Sequence, residues 1–173
     1  MKKYTECDNI KGEVRKIYKK IIAWTFVVLW MCVIFAFSAQ EATASKKTSG
    51  KTLIKIASTI SKDFKKLPPK KQMKKVEPYQ TAIRKVAHLT EYAILGILSY
   101  IAFLLHKKKK IVLSATTLCA LYAICDEIHQ LFVKGRACRW YDVLIDTAGA
   151  AVGIFIISTL FKILKRRRNC EKI

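Results

Sequence analysis

The stretch "IVLSATTLCALYAICDEIHQLFV", residues 111–133, decides the fold. It is too long for one strand and lacks the alternation of a half-buried one. Its length is close to the roughly twenty residues a helix needs to cross a hydrocarbon core. Yet it closes on Asp126, Glu127, His129 and Gln130, four polar side chains at the tail of an apolar run. Three further runs have similar length, at residues 21–39, 86–105 and 143–164. Inside a bilayer the backbone must satisfy its own hydrogen bonds, so four such runs predict helices. The expected fold is an all-α integral membrane protein, a four-helix up-down-up-down bundle. The whole chain, 1–173, forms one domain, with no length for a second core.

Charge supports this. The chain is 52% hydrophobic yet carries a net charge of +21. The two coexist because lysines and arginines are confined to tails and loops. A basic face for nucleic acid is excluded, since the cations flank apolar spans. Six cysteines form no CxxC pair, so neither a zinc ribbon nor a redox dithiol is indicated. Cys32, Cys119 and Cys125, within apolar runs, are expected to be small buried hydrophobes.

The first run also resembles a secretory signal, with "ATAS" at 42–45 as a cleavage site. Its length, and Trp24 and Trp30, favour a retained span. A basic loop, 40–85, follows it. Within this loop, "KTLIKIASTISKDFKK" at 51–66 sets Leu53, Ile56, Ile60 and Phe64 at helical spacing, and "LPPKK" ends the pattern. This predicts a short amphipathic helix on the membrane surface, beside the alternative of a solvated loop. The "HKKKK" at 106–110 forces a tight hairpin. Gly149 and Gly153 make a GxxxG, a motif common by chance in apolar helices and given little weight.

Up-down-up-down topology sends four helix ends to one side. They carry Ser38 and Gln40; His88 and Glu91; Asp126, Glu127, His129 and Gln130; and Asp142 and Asp146. The opposite ends carry lysine and arginine. Glu91 lies about 7.5 Å beyond the start of its run, at 1.5 Å per residue. A charge at a helix centre costs about 2.5–3.5 kcal/mol on insertion scales. Several such groups at one level imply a water-accessible polar pocket. Asp126 shares a helix face with His129 and Gln130, whereas Glu127 points about a quarter-turn away. Taken singly, each residue reads as structural: Asp142 and Asp146, for example, suit the N-terminus of a helix dipole. Gly135 is expected to supply the positive φ that folds the 131–139 loop back over the pocket.

Three segments resemble VanZ-like membrane proteins: "FSAQ" at 37–40, "RKVAHLTEYAILG" at 84–96, and "DEIHQLFVKGR" at 126–136 followed by "DVLIDTAGAAVG" at 142–153. The residues matching that pattern are Ser38, Gln40, His88, Glu91, Asp126, Glu127, His129, Gln130, Gly135, Arg136, Asp142 and Asp146. Lys134 stands where the pattern has proline. The resemblance implies reduced susceptibility to teicoplanin, a lipoglycopeptide, and no particular reaction.

Three function classes remain open. In an envelope-facing enzyme, His88, Glu91, Asp126 and His129 would act as acid/base groups or hold a divalent metal such as zinc or manganese. Its substrate would be a lipid-linked cell-wall precursor, with Arg136 holding a phosphate. In a binding protein, Ser38, Gln40, Glu127, Gln130, Arg136, Asp142 and Asp146 would help hold a membrane-lipid headgroup or a lipoglycopeptide. A transporter component is the third, weakened because the acids trace no path across the bilayer. Both termini are expected to be cytoplasmic, from the basic tails and turn. The thirteen lysines and arginines of 41–85 weigh against that bias.

Overall fold

The computed structural model of the chain describes residues 2–106, 110–136 and 139–170. Lysines 107–109 of the basic hairpin and Cys138 lie outside the described residues, as do the side chains of Cys7 and Cys170. The described residues form helices and turns without strands. The helices are α1 (Lys2–Ser38), α2 (Ala42–Ile60), α3 (Lys62–Lys65), α4 (Pro69–Val76), α5 (Gln80–Leu105), α6 (Ile111–Gln130) and α7 (Trp140–Cys170). Four of them, α1, α5, α6 and α7, are long and apolar enough to cross a membrane. Their outer faces show Phe26, Leu29, Leu121, Ile124, Phe155 and Leu160. In water such a belt would aggregate, whereas in lipid it is solvated.

The closest packing is between the parallel neighbours α5 and α7. A Cβ built on Gly149 would strike the Leu89 carbonyl oxygen, one on Gly153 the Ala93 oxygen, and one on Gly96 the Ala150 oxygen. The GxxxG is therefore the seam of the bundle, contrary to the small weight its frequency suggested. Glycine lets the two backbones touch, which is how helices associate where no hydrophobic drive separates them from lipid. The seam also fixes register. Gly149 meets Leu89, so Asp146, almost one turn earlier on α7, falls beside His88.

The core lies between the four long helices and contains Val27, Ile34, Tyr92, Leu95, Cys119, Ala123 and Ala150. Of the three cysteines in apolar runs, only Cys119 is buried; Cys32 and Cys125 are exposed. Their positions turn outward from the helix contacts, which an apolar run alone cannot reveal.

The helices α1, α5 and α7 extend beyond their apolar runs, and other boundaries also differ from the sequence expectation. The third span stops at Gln130. Leu131, Phe132 and Val133 instead make bonds to carbonyls three residues back, which tighten the chain into a turn. The helix expected within the basic loop is longer, beginning at Ala42 and breaking at Ser61, whose side-chain Oγ caps α3 by accepting from Phe64 N. "LPPKK" does not only end helix: Pro69 opens α4 at its first position, where a missing N–H costs nothing. α2 buries its small residues Ser45 and Gly50 and leaves Ile56 and Ile60 exposed.

Candidate functional site

Ser38, at the last turn of α1, is fully buried and donates to Asp126 Oδ2 at 2.8 Å. Gln130 Nε2 donates to the same oxygen at 3.1 Å. Asp126 itself is 3% exposed. A buried carboxylate needs such donors, because its desolvation is otherwise uncompensated. Gln130 is placed for this by helix geometry, one turn beyond Asp126.

The Gln130 amide oxygen accepts from Arg136 Nη1 at 3.2 Å. Arg136 Nε donates to Gln40 O at 3.0 Å and Nη2 to Phe37 O at 3.4 Å. All three guanidinium nitrogens thus serve protein acceptors, and Arg136 straps its loop to α1. Burial first, then the Arg84 guanidinium, pull the Arg136 pKa down from its usual value, while Asp126 and Glu127 oppose that. Gly135, beside it, has φ +75°, the conformation expected for the fold-back. Ala42 N bonds Lys134 O at 3.3 Å, closing the loop against the start of α2.

On α5, His88 Nδ1 lies 3.4 Å from Glu91 Oε2. On α7, Asp146 is 3% exposed, and Asp142 forms a 2.9 Å ion pair with Lys85. Donor atoms of His88, Asp126 and Asp146 lie within 4.8 Å of one another, one residue from each of three helices. Beside them a cavity of about 120 Å³ is lined by Arg84, Lys85, His88, Glu127, Gln130, Arg136, Arg139, Asp142 and Asp146. A second cavity of about 270 Å³ lies under α2, among Gln40, Ser45, Thr48, Ser49, Thr52, Glu91 and Arg84. His88 and Arg136 border both.

Of the residues singled out in sequence, His129 is the one held apart. Its ring sits 4.2 Å from Phe35, centroid to centroid. On a helical wheel it turns to the side of Asp126 opposite Glu127, which directs it at the flank of α1. The metal-capable set is therefore His88, Asp126 and Asp146, and not the two-histidine set expected. Glu127 leaves Asp126 by the expected quarter-turn: it lines the cavity and accepts from Arg139 N at 2.9 Å. Two further residues belong with the site, of which Arg84 went unnoticed in sequence. Tyr92 is fully buried, and its hydroxyl has no hydrogen-bond partner among the described residues. Arg84 lines both cavities. Tyr92 lies one turn from His88, the spacing that puts it on one face of α5 with His88 and Glu91. Arg84 resembled any basic residue before a span.

Residues 23–162 match the sequence model of the family described as VanZ/LLP1. Comparison with curated proteins and with solved structures returns no match.

Proposed function

The chain belongs to the VanZ/LLP1 family, and from that premise we propose that it lowers susceptibility to teicoplanin-type lipoglycopeptides through its polar pocket. The pocket faces the outer side of the membrane, with both termini cytoplasmic. There it holds the headgroup of an anionic, lipid-linked cell-wall precursor. One observation carries the reading. His88, Asp126 and Asp146 converge from three helices beside a cavity that Arg84, Lys85 and Arg139 also line. Cations lining the cavity suit an anionic headgroup, and the half-buried histidine and buried carboxylates suit its hydroxyl and amide groups. An apolar lipid tail has the exposed flank of the bundle to lie against.

The test is a susceptibility assay in a sensitive Gram-positive host. Wild type is expected to raise the inhibitory concentration of teicoplanin. His88→Ala, Asp146→Asn and Arg84→Ala, at equal membrane abundance, are expected to lose most of that protection. Full protection by all three variants would move the function to the basic loop 40–85. Orientation is tested separately with single cysteines at the exposed positions Lys16 and Lys66. An impermeant thiol reagent on intact cells is expected to label Lys66→Cys and spare Lys16→Cys; the reverse would place the pocket inside.

A further inference from the structure

We propose that His88, Asp126 and Asp146 form a binding site for a single divalent transition-metal ion. The inference deepens the pocket reading above and names what stands at its centre. The ligand types come first. One imidazole nitrogen and two carboxylate oxygens are a donor set that zinc and manganese both accept. Zinc bonds to such donors are about 2.0–2.2 Å long, so donors sharing one ion lie roughly 3–4 Å apart. The present separations are all within 4.8 Å, close to that range.

Charge gives the second reason. Asp126 and Asp146 are both 3% exposed. Neither is bonded to a cation among the described residues: Asp126 takes only Ser38 and Gln130, and Arg136 passes it to reach the Gln130 oxygen. Two carboxylates so close and so dry repel each other, and a cation between them relieves that repulsion. An ion at this point meets the need of both and also gives His88 a partner.

The third reason is independent of the acids. Tyr92 is 0% exposed, and its hydroxyl has no hydrogen-bond partner among the described residues. It stands one turn after His88 on α5 and couples electrostatically to both Asp126 and Asp146. Asp126 Oδ1 is likewise buried without a hydrogen bond. Buried polar atoms left without a partner are costly, because their desolvation is uncompensated. An ion would bond the bare carboxylate oxygen, and a water on that ion would reach the tyrosine hydroxyl. Ser38 and Gln130, holding the other oxygen of Asp126, would orient the ligand as outer-shell donors do.

The experiment uses full-length protein purified in detergent. Metal per chain is measured by elemental analysis as isolated, and after chelation followed by titration with ZnCl2 or MnCl2. One ion per chain is expected, with a rise in Tm of several degrees on reloading. His88→Asn and Asp146→Asn are expected to weaken binding at least tenfold, while His129→Ala binds as wild type does. If a variant fails to fold, the wild-type stoichiometry and the spectrum of bound Mn2+ decide alone. The proposal is overturned if the chelated wild type takes up neither ion. It is also overturned if Asp146→Asn raises Tm in chelator and the ions have no effect, since the carboxylates then share a proton. Absence of metal combined with loss of drug protection in His88→Ala would sink the ion and leave the pocket reading intact.

Discussion

The two ends of the helix bundle carry similar side chains and treat them differently. At the pocket end, Ser38, Asp126, Gln130 and Arg136 form a chain of hydrogen bonds from α1 through α6 to the following loop. The Ser38–Asp126 bond joins residues 88 apart in the chain, which only helix packing brings together. At the basic end, Lys16 pairs with Glu13 within one turn of α1, and both side chains are more than 60% exposed. The first network exists only because the end of α1 meets the end of α6 and the loop that follows it. The second would exist on an isolated helix. Ionisable groups are therefore informative about function where tertiary contacts hold them, and about solubility or orientation where water does.

The comparison breaks most completely at the seam. Gly153→Leu would push a side chain into the Ala93 carbonyl. α5 and α7 would separate, and with them His88 and Asp146. Overpacking of this kind costs about 1–3 kcal/mol or more. Loss of most folded protein from the membrane fraction is expected by size-exclusion chromatography in detergent, whereas Gly12→Leu, with open space around its Cβ, is expected to leave it unchanged.

Asp126→Ala comes next. It strips the acceptor from Ser38 and Gln130, leaving two buried donors at about 1–3 kcal/mol each. Asp126→Asn keeps an acceptor and is expected to unfold at a Tm between those of wild type and the alanine variant. Equal Tm values for all three would show that the network contributes nothing to stability.

Arg136→Lys tests the strap. Lysine cannot reach Gln40 O, Phe37 O and Gln130 with one planar fork, so a loss of about 1–2 kcal/mol is expected. Lys134→Ala, whose side chain is exposed, serves as the control and is expected to change little. Proteolysis of the 131–139 loop in detergent reports the difference as faster cleavage in Arg136→Lys.

The smallest effect belongs to the basic end. Removing the Lys16–Glu13 pair by Lys16→Ala is expected to shift stability by less than about 1 kcal/mol, as for other exposed pairs. A larger shift in thermal melting would mean that the two ends are not as different as their packing implies.

Run length and composition by themselves determined the four spans, their alternating direction and the gathering of acids at one end. These follow from the thickness of a bilayer and the need of each backbone to bond itself, which act on any apolar run whatever its neighbours. Spacing also placed Gln130 beside Asp126 and turned Glu127 away, because both belong to one helix. Tertiary structure decided the rest. It made the common GxxxG into the contact that aligns His88 with Asp146, and it turned His129 onto Phe35. It occupied the Arg136 fork with carbonyls and left the Tyr92 hydroxyl without a hydrogen-bond partner among the described residues. Each of these depends on the rotation of one helix against another. That rotation is set by which small residues let backbones touch, a property of pairs of helices that no single run contains.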